Sequence, residues 1–321
     1  MLKQKQCVKV IGITSLIGVI LTLCYVLIGL NDFNIGYFLP LRIKKVTTIL
    51  LVSYCIGASS TIFQTITNNK ILTPSVMGLD ALYMFIQTVV IYFFGSQQLV
   101  MMQGYTDFII SVGFMILLTL MVFFLLFKKE SSNVYFIVLA GMVIGGLFNG
   151  LSTFMQVLLD PNEFLILQGK MFASFNNINN DLLWISMAIT IFTIGWNWKS
   201  ISSLDVISLG REEAINLGVD YYRMVRKEWI IIALLVAVST ALVGPITFLG
   251  ILLVSLSRQM VASYKHRHLI VEASLLGFVF LMLGLVVVER IFNFGTTISV
   301  IINFVGGIYF MYLMIKESKN D

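Results

Sequence analysis

The chain has 321 residues, 58 % of them hydrophobic and only 12 % charged, with a formal net charge of +5 and a mean hydropathy of +0.94. Soluble domains carry about a quarter of their residues as charges, so this composition excludes a soluble globular protein. It points to an all-α polytopic membrane protein.

A membrane-crossing helix needs about 20 mostly apolar residues. Runs of that length, broken at Pro, Gly and charge clusters, predict about ten transmembrane helices, at 8–30, 47–66, 75–94, 105–127, 134–158, 182–198, 229–243, 246–262, 270–288 and 298–315. No soluble domain fits between them, so residues 1–321 read as a single transmembrane domain. The first run follows Lys3, Lys5 and Lys9, is long for a signal h-region and lacks a small-residue cleavage pattern. It is expected to stay as a helix, with the N-terminus in the cytoplasm. Threading ten spans from there puts most Lys and Arg residues, from Lys70 to Lys319, inside with the N-terminal lysines. Only Arg42, Lys44, Lys45, Lys170 and Arg290 fall outside. That asymmetry obeys the positive-inside rule and places both termini in the cytoplasm of a multi-pass cell-membrane protein. The pI of 9.0 then reflects membrane orientation, and no nucleic-acid partner is inferred from it.

Cys7, Cys24 and Cys55 lie at or within apolar runs without C-x-x-C spacing, which reads as small buried side chains and not as a disulfide or metal framework. In the second span Ser53, Gly57, Ser60, Gln64, Thr67 and Asn68 recur at three- and four-residue spacing along one helix face. Such a face suits a close-packing seam between helices. It equally suits the wall of a polar translocation path, with Ser60, Gln64 and Asn68 as the path residues. Asp80, near the first turns of the third span, reads either as a proton or ion site or as a carboxylate stabilised by a helix N-terminus.

A chain carrying its own ATP motor needs G-x-x-x-x-G-K-[ST], but the Gly169-Lys170 pair is followed by Met171. The longest cytoplasmic loop is expected at 199–228, and its centre is "SLGREEAINLGVD". Gly210 can serve there as N-cap with Glu213 at N3, and Gly218 can supply a left-handed C-terminal turn, which predicts a helix of about two turns. Asp220 then caps a second helix that begins at Tyr221 and runs into the next span. "VGPITFLG", 243–250, breaks the apolar run at Pro245, either as two abbreviated helices of the kind transporters use or as a plain extracellular turn. His266 and His268 of "KHRH" stand among two cations with no carboxylate nearby in sequence before Glu272. A solvated, lipid-facing basic loop is expected there, not a metal site. With these as the only two His residues, and no converging Ser/His/Asp or paired carboxylates, the chain reads as a conduit and not an enzyme.

"LDVISLGREEAINLGVD" followed by "VAVSTALVGPITFLGILLVSLSR" resembles the FecCD-type permeases of ABC importers for ferric siderophores and cobalamin. "LRIKK", "GASSTIFQTITNN", "LTPSVMG" and "FVGGIYFMYLM" extend the resemblance over most of the chain. It implies a type II ABC importer permease working by alternating access. The implied partners are a second permease subunit, identical or paralogous, two cytoplasmic ATPase subunits, and an extracellular or periplasmic siderophore-binding protein. Leu209, Gly210, Glu213, Ala214, Leu217 and Gly218 then match the coupling helix that sits in a cleft of the ATPase. Arg42, Lys45 and Arg290 match outward basic positions that pair with carboxylates on the binding protein, with lipid headgroup anchoring as the alternative. Iron would travel inside its chelate, so neither a cofactor nor a metal site in this chain is implied.

Departures from the family pattern include Asn69-Lys70-Ile71-Leu72, Leu253-Val254-Ser255 ahead of Arg258, and Ile298-Ser299 in "TTISV". They weigh against cobalamin. "NKILTPSVMGLDALY" and "LQGKMFASFNN" resemble a subgroup for catecholate or mixed catecholate chelates, petrobactin-like ligands among them. Alternatives are an ABC permease for haem or cobalamin, a proton- or sodium-coupled secondary transporter using Asp80 or Glu289, and a non-transporting scaffold.

Overall fold

The computed structural model describes residues 2–28, 35–101, 105–126, 134–176, 178–261 and 263–317. Among them the regular structure is entirely helical. The helices are α1 (Leu2–Leu27), α2 (Ile35–Ile66), α3 (Asp80–Met101), α4 (Tyr105–Leu126), α5 (Val134–Val157), α6 (Pro161–Met171) and α7 (Asn180–Asn197). They continue with α8 (Ile201–Ile207), α9 (Arg211–Asn216), α10 (Tyr221–Val243), α11 (Leu249–Met260), α12 (His266–Arg290) and α13 (Ile298–Glu317). A π-turn at Ser75–Leu79 leads into α3. Windows long and apolar enough to cross a membrane lie in α1, α2, α5 and α12 and in the π-turn with α3, and shorter apolar stretches lie in α4, α11 and α13.

Within the described residues each expected apolar run folds largely as a helix, with residues 29–30, 127 and 262 at the ends of three runs outside them, and the main differences lie at the charged edges. α2 starts at Ile35 rather than 47, because Arg42 and Lys45 find partners at its open end and do not break it. Two short helices were not anticipated. α6 begins with an extended Asp160 and with Pro161 at N1, where a missing N–H costs nothing, and it lays Leu167 against Ile91 of α3. α8 lies between α7 and α9, with Leu204 and Ile207 buried.

α2 is the axis of the bundle. In its membrane-length window 72 % of the residues are buried, against 17 % in α1, and it packs chiefly on α12 and α10. Its small-residue face permits this. A Cβ on Gly57 would sit 2.9 Å from the Ser274 backbone nitrogen, one on Gly250 of α11 would meet Ser60, and one on Gly277 of α12 would meet Ser53. Membrane helices gain little from hydrophobicity against lipid, so close backbone approach of this kind supplies the packing. Buried hydroxyls on α2 stay quiet by bonding back along the helix: Thr48, Thr61 and Thr67 donate to Lys44, Gly57 and Phe63 carbonyls at 2.9, 2.7 and 2.7 Å. A second close contact joins the π-turn to α5, where Gly78 (φ +93°) lies against Gly145.

The Gly244–Phe248 break between α10 and α11 is a buried turn and not an exposed connection. Val243 to Ile246 are all buried, Gly244 (φ +98°) lies against the Ala173 backbone, and Thr247 donates to Asp80 Oδ2 at 3.3 Å. Irregular backbone at such a break is tolerated where it is buried in protein, and here Ser174 N–H reaches the Val243 carbonyl at 2.8 Å and Gly244 N–H the Thr240 carbonyl at 2.8 Å.

Candidate functional site

At one end of the bundle α8, α9 and the start of α10 form a compact knob. Gly210 (φ +117°) is the N-cap of α9, and the Glu213 carboxylate folds back over it to within 2.7 Å of where a Cβ would stand. The helix closes as a Schellman turn: Gly218 N–H bonds the Ile215 carbonyl at 2.9 Å and Val219 N–H the Ala214 carbonyl at 3.0 Å, with Gly218 at φ +82°. Asp220 then accepts from Arg223 N–H at 3.1 Å and starts α10. Lys227 fastens α10 to the end of α7, donating to the Trp196 carbonyl at 2.9 Å and to Ser200 Oγ.

What the knob presents is apolar. Ala214 is buried, while Leu209, Ile215 and Leu217 are 60 %, 45 % and 63 % exposed beside exposed Arg211, Glu212 and Glu213. Three large aliphatic side chains on and flanking a capped helix, rimmed by charge, have the anatomy of a protein contact. Ile215 was not among the expected residues, although its place between Ala214 and Leu217 marked it. Asp220→Ala is expected to cost about 1 kcal/mol through loss of the cap, read as faster hydrogen exchange at the first amides of α10 with the rest of the bundle unchanged.

At the opposite ends of α2 and α12 the three expected basic residues come together. Arg42 donates to the Tyr25, Val26 and Ile28 carbonyls at 3.0, 2.8 and 2.7 Å, and Arg290 to Ile28 at 3.3 Å, so both arginines cap the C-terminus of α1. Lys45 pairs with Glu289 at 2.6 Å, and Tyr25 donates to the same carboxylate oxygen at 3.1 Å. Arg290 remains exposed. Glu289, a candidate ion-coupling residue, is thus held in an ion pair that joins α2 to α12.

Of the expected path residues, Ser60 and Gln64 are buried and Asn68 is exposed just past α2, at φ +47°. Ser60 lines a cavity of about 20 Å³ with Ser59, Ser75, Asp80, Ser239 and Thr240, enough for one water molecule. Among the described residues, neither amide atom of Gln64 has a partner. A larger cavity of 670 Å³ opens between α3, α4, α6, α7 and α10, walled by Asp107, Lys170, Ser174 and Asn179. Asp107 there binds Lys170 at 2.7 Å and accepts from Gln87 at 3.2 Å. The expected outside placement of Lys170 was a signal that could have flagged this site, but its partner is 63 residues away in sequence.

Two sequence readings are corrected. His266 is not solvated: it is 2 % exposed, and its carboxylate partner, Asp205, comes from α8. Cys24 is exposed, whereas Cys7 and Cys55 are buried.

A helical bundle with membrane-length apolar windows, an interrupted pair of spans and a capped helix displayed at one end defines a polytopic membrane protein. The chain belongs to the FecCD transport family, whose sequence profile matches residues 8–316. It is 52 % identical over 308 residues to the petrobactin import system permease protein YclO of Bacillus subtilis, covering 95 % of this chain and 98 % of that one. It is 34 % identical over 283 residues to the petrobactin import system permease protein FatC of Bacillus anthracis, covering 87 % and 80 % respectively. In fold it matches a metal-chelate-type ABC transporter solved in an inward-facing conformation, with a TM-score of 0.83 at 23 % identity over 97 % of this chain and 99 % of that one.

Proposed function

We propose that the protein is the membrane permease subunit of an ABC importer for a ferric siderophore of the petrobactin type. The observation that carries this is α9, a short helix closed by a Schellman turn and flanked and lined by exposed Leu209, Ile215 and Leu217, in a FecCD chain half identical to a petrobactin permease. On this reading residues 1–321 form one permease domain in the cytoplasmic membrane, with both termini and α9 inside. Two such subunits, identical or paralogous, flank a central path. Leu209, Gly210, Glu213, Ala214, Leu217 and Gly218 meet an ATPase subunit, and ATP-driven closure of the motor moves α9 and reopens the path by alternating access.

Ser60, Gln64 and Asn68 enter the path when α2 parts from α11. The unpartnered Gln64 amide favours this, because a buried amide without a partner costs roughly 1–3 kcal/mol that a second conformation can recover. Arg42, Lys45 and Arg290 make a basic corner at the outer face for a binding protein, with Arg290 outermost. Arg290→Glu is expected to weaken binding-protein association several-fold at low salt, with the difference shrinking as ionic strength rises. Equal affinities at low salt would place docking elsewhere.

The function itself is tested by uptake of radiolabelled iron in a strain deleted for this gene. Ferric petrobactin uptake is expected to be lost and ferric hydroxamate uptake kept. Unchanged petrobactin uptake rejects the substrate, and uptake that persists after removal of the ATPase subunit rejects the ABC mechanism in favour of ion coupling.

A further inference from the structure

We infer that Asp205, His266 and Thr65 form the tie through which movement of α9 reaches α2 and α12. This rests on the reading of α9 as the ATPase contact and adds to it a route inward. α9 has two arms. One is α10, joined through Gly218 and Asp220. The other is α8, joined through a continuously bonded turn in which Ser208, Leu209 and Gly210 N–H groups reach the Leu204, Val206 and Ile207 carbonyls at 3.0, 3.1 and 3.1 Å.

α8 is seated on α2 and α12 by Leu204 and Ile207, but aliphatic contacts let packed helices slide. Directional bonds do not. Asp205 Oδ1 accepts from both the backbone N–H and Nδ1–H of His266, at 2.7 and 2.6 Å, and so grips the first residue of α12 twice. The other ring nitrogen, Nε2, lies 2.8 Å from Thr65 Oγ1 in the last turn of α2. One rigid imidazole thereby links three helices.

The chemistry makes this link robust. A carboxylate only accepts, so Nδ1 carries its proton whether the ring is neutral or charged. A neutral ring accepts at Nε2 from the Thr65 hydroxyl. A charged ring donates there, and the hydroxyl proton turns to the Thr61 carbonyl, also 2.8 Å away. Arg258 of α11 also acts electrostatically on the ring, and its Nε is buried without a partner among the described residues. A histidine that merely filled space would need none of these bonds, and its carboxylate partner is brought by the fold from 61 residues away.

The test uses the assembled transporter, with ATPase subunits and binding protein, in liposomes, reading siderophore taken up per ATP hydrolysed. Asp205→Ala and His266→Ala are expected to assemble and to hydrolyse ATP at the parental basal rate, with transport per ATP about tenfold lower. The double variant should be no worse than either single one, the non-additivity of groups in one chain. His266→Gln, which can still donate to Asp205 and accept from Thr65, should recover most of the loss. Unchanged transport per ATP in both single variants, or fully additive losses, overturns the tie. If His266→Ala fails to assemble, Thr65→Val decides, since it removes one hydroxyl at nearly constant volume: a normal ratio there overturns the proposal, a several-fold drop supports it. Leu217→Asp run in parallel separates the two levels. If that variant keeps its ATPase subunits and its transport, the α9 reading fails and the tie with it. If it uncouples while the Asp205 and His266 variants transport normally, the tie alone fails.

Discussion

Leu217→Asp is expected to abolish ATP-dependent uptake and to strip the ATPase subunits from the purified complex, while the bundle stays folded. Leu217 is 63 % exposed and follows the last helical residue of α9, so its replacement removes little intramolecular packing. At an interface the same side chain contributes about 2 kcal/mol when buried, and an unpaired carboxylate in its place adds a desolvation cost of similar size or larger. Together these amount to at least about 4 kcal/mol, or roughly 1,000-fold in affinity. Glu213→Lys should act more weakly, since it reverses a charge at a helix N-terminus, worth about 0.5 kcal/mol locally, and lifts the carboxylate that covers Gly210. Copurification and uptake measured together settle the matter. A Leu217→Asp transporter that holds its ATPase and transports normally removes α9 from the contact.

That helix was legible because each of its signals is local. Gly210, Glu213, Gly218 and Asp220 lie within eleven residues of one another, and each acts on backbone groups three or four positions away. The apolar runs were legible for the same reason. The start of α2 was not. Arg42 and Lys45 read as a break because their partners, the end of α1 and Glu289, lie on other helices, and only the folded bundle neutralises the lysine against a carboxylate 244 residues distant. His266 failed in the same way. α6 escaped notice because its eleven residues are too few for a span, and it is held by Ile91 and Asp107 more than by its own amphipathic pattern.

The small-residue face of α2 shows a different limit. Sequence spacing placed Ser53, Gly57, Ser60 and Gln64 on one stripe but left seam and path open. The structure makes Gly57 and Ser53 a seam against α12, with neighbouring backbone or side-chain atoms about 3 Å from a Cβ on Gly57 or Gly277. Ser60 belongs both to the seam with Gly250 and to the cavity shared with Asp80. A packing surface that also holds polar cavities is one along which helices can part at modest cost, which a uniformly apolar seam does not offer.

Gly145→Val is expected to be the most damaging single substitution for stability. A Cβ at Gly145 would lie 2.6 Å from Gly78 Cα, and one at Gly78 would lie 2.4 Å from Gly145 Cα, so the π-turn and α5 meet backbone to backbone with nothing flexible to yield. Forcing a side chain into such a contact costs about 3 kcal/mol, and Gly78→Ala adds about 1–2 kcal/mol because φ +93° disfavours any L side chain. The loss should extend to function. The π-turn runs directly into Asp80, the first residue of α3, so displacing it from α5 moves that carboxylate off Thr247 and opens the cavity beside Ser60. The next residue provides the control: a Cβ on Gly146 meets nothing within 4 Å, so Gly146→Val should change the thermal midpoint in detergent little while Gly145→Val lowers it by several degrees and halves uptake or worse. Equal midpoints for the two variants would mean that the π-turn can withdraw from α5 freely, and the placement of Asp80 would then owe nothing to this contact.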